Sequence, residues 1–483
     1  MLRAHTVGQV RRAEADLAAT LPAGELMNRA ATGLAHAVRP RLTESSGAAV
    51  LVLVGTGDNG GDALYAGAIL ARGGAQVALL LTDADNVHGE GLRTALAAGA
   101  RRVDAPGGQP VVLDGVVGIG GHPGLREPAL SWRRAVDDAH SFVIAVDVPS
   151  GIDVDGGTLT ESYLQADATY TFGTYKVGVL AGPAADACGQ DVPELIDIGL
   201  EPHLGPPAIE AIEAGDGHLV AEACSWWGRP QSHKYTRGVV GVAAGSEKYA
   251  GAAQLCVRGA QAGVAGMVRF VGPGPLASRI VDRCPEVVHG RGRVQAWVVG
   301  SGGGEDTEQL VALALADRVP VVLDAEALAF LPERLEIPAL LTPHAGELAE
   351  LMGVDRGEVE ADPLGYATRA AERWGATVLL KGRRTLVAHP GEPTRVNLSG
   401  APWLGTAGAG DVLAGLAGSF LAAGADPRQA GSLATYLHGA AGARANPGGP
   451  VTAGQVADAI PATIAAMRRG ELSGSEVRDW ADT

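Results

Sequence analysis

The sequence predicts an α/β chain built as two three-layer αβα domains. Three observations carry this. Short apolar runs alternate with helical stretches. The alternation stops at a run rich in turn formers, Gly199, Pro202, Gly205, Pro206, Pro207, Gly215 and Gly217, and then restarts. The 483 residues, 46% of them apolar, are enough for more than one core. The predicted division is residues 1–210, residues 211–470 and a polar, frayed tail over 471–483.

The elements follow in order. Thr6 and Gln9 read as a capping box opening a helix that runs to about Leu17. The runs 48–54, 77–81, 111–113, 142–146 and 168–172 are short and apolar, as buried parallel strands are, with helices such as 62–72 and 128–139 between them. Beyond the break, strands are predicted at 239–243, 297–299, 320–323, 339–341 and 377–380. Helices are predicted at 251–264, 307–317, 364–374, 411–423 and 429–443.

Composition narrows the function. Acidic residues number 54 against 38 basic ones, so neither nucleic acid nor an anionic membrane is a predicted partner. No apolar run reaches the ~20 residues of a membrane helix, and the N-terminus lacks the apolar core of a signal peptide. The four cysteines, at 188, 224, 256 and 284, form no CxxC pair, which excludes a disulfide framework and a zinc site and fits a reducing cytoplasm. Gly, at 70 residues, is about twice as common as usual but has no triplet period.

Two clusters carry chemistry. In the first half, the run Gly55, Thr56, Gly57, Asp58, Asn59, Gly60, Gly61, Asp62 follows a strand and precedes a helix. It suits an anion at a helix start, with a tight structural turn as the competing reading and Asp62 as a helix cap. Asp114 and Asp147 each directly follow a strand. Three polar loops at the carboxyl ends of strands converge on one crevice.

In the second half, the run from Asn397 to Asp411 ends in Gly408-Ala409-Gly410-Asp411 and leads into a helix. Its glycines place N–H groups around an anion, and Asp411 beside them is suited to take a proton from a hydroxyl during phosphoryl transfer. Lys381, Gly382, Arg383, Arg384 and Thr385 end a strand with groups suited to nucleotide phosphates, a charged turn being the alternative. Thr342-Pro343-His344-Ala345-Gly346-Glu347, Asp324 and Gly300-Ser301-Gly302-Gly303-Gly304 mark three more strand ends. The chain has four lysines, and Lys176, Lys234 and Lys381 lie in or beside the loops singled out.

The segments Asn59-Gly60-Gly61-Asp62, Leu113-Asp114-Gly115 and Val146-Asp147-Val148-Pro149-Ser150-Gly151, over about residues 5–200, resemble the NAD(P)H-hydrate epimerases, which interconvert the R and S forms of hydrated nicotinamide cofactors. The resemblance implies a Rossmann-like domain. It implies potassium at Asn59, Asp114 and Ser150, and the hydrate against Asp58, Asn59, Gly60, Gly61, Asp62, Gly118, Ile119, Gly120, Gly121, His122, Pro123, Gly124 and Asp147. Asp114 is the implied acid/base at the hydrated carbon. Asp58 and Ala63 depart from the family, which usually has Asn and Gly there.

Leu-Thr-Pro-His-x-Gly-Glu and Gly-Ala-Gly-Asp, over about residues 218–467, resemble the NAD(P)H-hydrate dehydratases of the ribokinase-like superfamily. This implies hydrate contacts at Ala252, Gly302, His344 and Asp411, and nucleotide contacts at Lys381, Gly382, Arg383, Arg384, Thr385 and Gly410. Here Ser301, Gly303, Glu326 and Ala407 depart from the usual residues. Together the resemblances imply repair of NADHX and NADPHX with ADP as co-substrate, Mg²⁺ with the nucleotide, and a homo-oligomer. The alternative is an ATP-dependent small-molecule kinase with a non-catalytic N-terminal module.

Overall fold

The computed structural model describes residues 1–44, 48–224, 229–400 and 402–472. The chain divides into two compact units, Arg3–Ile209 and Glu210–Thr483, the latter joined by Met1–Leu2. The tail expected over 471–483 lies outside the described residues from position 473 onward, as does Ala401 of the glycine-rich run. No helix among the described residues is long and apolar enough to cross a membrane.

In the N-terminal unit seven strands lie side by side in the order Arg101–Arg102, Gln76–Leu81, Ala49–Val54, Val111–Gly115, Phe142–Val146, Ala168–Phe172 and Glu194–Ile196. All pairs are parallel. Period two sorts the central strand between the faces. Val50, Val52 and Val54 pack with the helices Val7–Ala18, Glu25–Glu44 and Asp58–Arg72, while Leu51 and Leu53 pack with Trp132 and Val136 of the helix Ala129–Asp138. That makes three layers. The chain reverses its direction of travel across the sheet between Ala49–Val54 and Val111–Gly115, the switch point where ligands bind in such sheets.

The strand 48–54 leads into its helix sooner than the sequence predicts. The helix begins at Asp58, not 62, with Gly57 as its N-cap, so Asn59, Gly60 and Gly61 form its first turn and Asp62 is no cap. Those glycines are required by contact rather than by a loop. A Cβ on Gly60 would stand 2.2 Å from the Gly55 carbonyl oxygen. The Thr6–Gln9 capping box is present and opens the helix Val7–Ala18.

In the C-terminal unit the strands run Val288–His289, Met267–Phe270, Val239–Ala243, Ala296–Val299, Val321–Leu323, Ala339–Leu341, Thr377–Leu380, Thr385–Ala388 and Thr394–Asn397. They are parallel as far as Thr377–Leu380, and the last two add antiparallel. Here the switch point lies between Val239–Ala243 and Ala296–Val299. The helix Ala409–Ala423 is buried along nearly its whole length, as its apolar sequence on every side requires. It packs against the helix Ala250–Ala262 backbone to backbone: a Cβ on Gly415 would meet the Cys256 carbonyl oxygen at 2.0 Å, and one on Gly259 the Val412 carbonyl oxygen at 2.1 Å.

Candidate functional sites

A cleft of about 400 Å³ opens at the N-terminal switch point. Of the residues expected there, Asp58, Asn59, Asp62, Gly118, Ile119, Gly120, Gly121 and Asp147 line it. Gly60 and Gly61 do not, being packed against Gly55 and Met27 behind the helix start. His122, Pro123 and Gly124 continue the second loop away from the cleft, where Gly124 N–H donates to the Gly151 carbonyl at 2.8 Å and ties two loops together.

Asp114 is placed differently from its expected role. It closes the strand Val111–Gly115, has 0% exposure and does not line the cleft. Both its oxygens are engaged: Ser150 Oγ donates to Oδ1 at 2.6 Å, Ser150 N–H to Oδ2 at 2.8 Å, and Val116 N–H to Oδ1 at 3.2 Å. Burial raises its carboxyl to about 6 against the pull of these donors. Enclosed in this way, Asp114 stands behind the residues that line the cleft.

Asp114 and Ser150 are joined directly, and Asn59 lies in the first turn of the helix that follows the neighbouring strand. Asn59 rests flat on Gly118, where a Cβ would stand 2.9 Å from its own Cβ. Its Nδ2 is buried without a partner. Turned about Cγ, the amide presents a carbonyl oxygen at that point instead, so the residues fit a hard monovalent cation.

Other residues that shape this cleft stood outside the predicted site. Arg11 and Glu14 enter it from the first helix. Phe172 lines its wall. Lys176, 1% exposed, forms a close ion pair with Asp147, whose φ of +68° holds it in the left-handed region. Lysine scarcity was the one signal for Lys176. Nothing in the pattern of a capped surface helix marked Arg11 or Glu14.

In the C-terminal unit the expected residues also converge. Gly302 lies against Ala252, whose Cβ is 2.5 Å from where a Gly302 Cβ would stand. His344 caps the helix Ala345–Met352: its Nδ1 accepts from Glu347 N–H at 3.1 Å, and the Glu347 carboxylate accepts from His344 N–H at 2.7 Å. The His344 ring is 58% exposed. Lys381 N–H donates to the Pro343 carbonyl, which brings the lysine beside His344. Its Nζ lies 3.5 Å from where a Gly410 Cβ would be, so the ammonium sits at the glycine loop.

Gly382, Arg383, Arg384 and Thr385 are not a plain strand end. They turn a hairpin between Thr377–Leu380 and Thr385–Ala388, with Gly400 against the Arg383 carbonyl.

Asp324, unassigned in the predicted site, joins these parts. Its Oδ2 accepts from Ser301 Oγ at 2.8 Å, and its Oδ1 from Thr342 Oγ1 at 2.8 Å and Lys381 Nζ at 3.0 Å. Burial would lower the Lys381 pKa, but Asp324 and Glu347 outweigh it and raise it. Asp411, in the first turn after Gly408 (φ +88°), is raised to about 7, first by burial and then by Asp324, with Lys381 opposing. A carboxyl of that strength beside helix-start amides and a lysine can accept a hydroxyl proton near neutral pH.

The C-terminal site thus sets a carboxyl and a lysine beside a glycine-rich helix start in an αβα unit, and the N-terminal cleft lies at the switch point of a parallel sheet. Residues 240–462 match the family described as NAD(P)H-hydrate dehydratase, and residues 23–178 the family described as YjeF-related protein N-terminus. The bifunctional NAD(P)H-hydrate repair enzyme Nnr of Mycobacterium leprae is 40% identical over 96% of this chain and 99% of its own length. That of Mycobacterium tuberculosis (strain CDC 1551 / Oshkosh) is 42% identical over 87% of this chain and 89% of its own. A solved structure of an ADP/ATP-dependent NAD(P)H-hydrate dehydratase from Bacillus subtilis, co-crystallized with ATP/Mg2+, is 29% identical, covers 52% of this chain and 96% of that one, and has a TM-score of 0.48. The chain belongs to the family of bifunctional NAD(P)H-hydrate repair enzymes.

Proposed function

We propose that the N-terminal unit interconverts the R and S forms of NADHX and NADPHX. The C-terminal unit then uses ADP to dehydrate the S form to NAD(P)H, with release of AMP and phosphate. The observation that carries this reading is Asp411, a carboxyl raised to about 7 at the start of a helix, with Lys381 beside the glycine loop. Full-length correspondence to relatives with both halves favours it over the kinase alternative.

The Asp411 carboxylate takes the proton of the ring hydroxyl as that oxygen accepts a phosphoryl group. The amides around Gly408–Gly410 and the Lys381 ammonium offset the charge on the group in transit. Phosphate then leaves with the C–O electron pair where hydroxide would not, the adjacent ring carbon gives up a proton to solvent, and the electron pair of that C–H bond restores the ring double bond. Arg383, Arg384 and Thr385 hold the nucleotide, and Ala252, Gly302 and His344 the hydrate.

Mg²⁺ would neutralise phosphate charge and travel with the nucleotide: no group of three or more His, Cys, Asp or Glu among the described residues could hold a metal, and Asp324 is engaged by Lys381. Potassium would be held by Asn59, Asp114 and Ser150 and would tie the loops that carry them together. A cytoplasmic location and self-association into a homo-oligomer belong to the same proposal.

The test is incubation of the full chain with the S hydrate and ADP–Mg²⁺. Reduced nicotinamide, AMP and phosphate should appear one to one. Accumulation of a stable phosphorylated product would instead return the C-terminal unit to the kinases.

A further inference from the structure

The N-terminal cleft holds more carboxyl groups than recognition of a pyrophosphate ligand calls for. Asp58, Asp62, Asp147 and Glu14 all line it, with Arg11 as the facing cation. Two of these differ sharply in their surroundings. Asp147 Oδ1 accepts from Lys176 Nζ, from Thr171 Oγ1 at 3.1 Å and from Phe172 N–H at 3.1 Å. The Asp62 carboxyl has no hydrogen-bond partner among the described residues. Burial raises its pKa well above the usual range, Asp147, Asp58 and Glu14 raise it further, and Lys176 alone among the groups facing it pulls it down. The two carboxyls thus share the cleft in different surroundings, Asp147 held by donors and Asp62 without one among the described residues.

They also enter it from separate places. Asp62 lies on the helix after Ala49–Val54, and Asp147 directly follows Phe142–Val146, with Val111–Gly115 between these strands. The helix that carries Asp62 packs across all three of these strands, so both carboxyls face the one cleft.

We propose that Asp62 is the general acid and Asp147 the general base of epimerisation, serving opposite faces of the hydrated ring. This rests on the epimerase reading above. The hydroxyl sits on the carbon bonded to the ring nitrogen. The C–O bond breaks with its electron pair on oxygen, which takes the Asp62 proton and leaves as water. The nitrogen lone pair forms a π bond to the carbon, giving a planar cation. A water then adds from the other face: its lone pair forms the new C–O bond, the π pair returns to nitrogen, and Asp147 takes the proton. One proton passes from Asp62 to Asp147, and the reverse conversion or exchange with solvent returns it. The acidic cleft favours the cation between the two steps, which gives Asp58 a purpose where the related epimerases usually carry Asn.

The experiment follows the R/S ratio from purified R hydrate by chromatography, using the full chain without nucleotide so that dehydration is silent. Asp62→Asn should lower kcat by about 10²-fold or more, the usual contribution of a positioned acid, with KM changed by less than about threefold. Wild-type kcat should fall as pH rises through the titration of Asp62, because the acid must carry its proton, and Asp62→Asn should lose that limb. Asp62→Glu should restore both rate and limb in part. Should Asp62→Asn fail to fold, Asp62→Glu decides: a lowered kcat with the alkaline limb kept supports the role, and an unchanged kcat with only KM altered overturns it. An Asp62→Asn chain with wild-type kcat and pH profile overturns the inference alone. A wild-type chain that does not epimerise overturns the epimerase reading, and the inference with it.

Discussion

The proton-acceptor role proposed for Asp411 rests on where the residue stands, not on its type. Burial and Asp324 lift it to about 7, so the ionised form needed for catalysis grows as pH rises through that value. Dehydration kcat/KM should therefore climb between about pH 6 and 8, and Asp411→Asn should lose at least about 10²-fold of it. Asp324→Asn removes the largest upward charge influence on Asp411 and also releases Lys381. Its kinetic pKa should move below that of the wild type, and its KM for ADP should rise. An unmoved profile would mean that Asp324 only braces the strand ends. Asp114 makes the matching case in the other half. If it holds potassium with Asn59 and Ser150, KCl should raise the melting temperature above that in choline chloride at equal ionic strength, and Asp114→Asn should abolish the difference.

At the scale of elements, the strands were the most legible part of the sequence. Runs such as 142–146, 168–172, 239–243 and 377–380 coincide with the observed strands because a buried parallel strand is apolar at every position. Glycine was the least legible. Gly60 and Gly61 read as loop, yet they lie in a helix, since the same residue that frees a loop also lets two backbones touch. The strand-end carboxylates were visible as candidates, but partnerships such as Lys381 with Asp324, 57 residues apart, exist only once the sheet aligns the strand ends. Arg11 and Glu14 were hidden by the ordinary pattern of their helix. The glycine contacts carry a prediction of their own. Gly415→Ala forces a methyl against the Cys256 carbonyl. It should destabilise the C-terminal unit by about 1–3 kcal/mol, read as a lower melting transition, and Gly259→Ala should do the same.

The whole molecule joins two units with separate cores, each with a site at the switch point of its own parallel sheet. With an acid–base group proposed for each site, the activities should separate by mutation: Asp411→Ala should abolish dehydration and leave R-to-S conversion intact. Joining the two steps in one chain makes chemical sense, because the second consumes a single epimer and the first replenishes it. The measurement that tests this most directly is recovery of reduced-nicotinamide absorbance from a mixed R/S hydrate with ADP–Mg²⁺, on wild type and on Asp411→Ala. The account predicts complete recovery by the wild type and none by the variant. Recovery that halts at the S fraction, or that persists in Asp411→Ala, would contradict it.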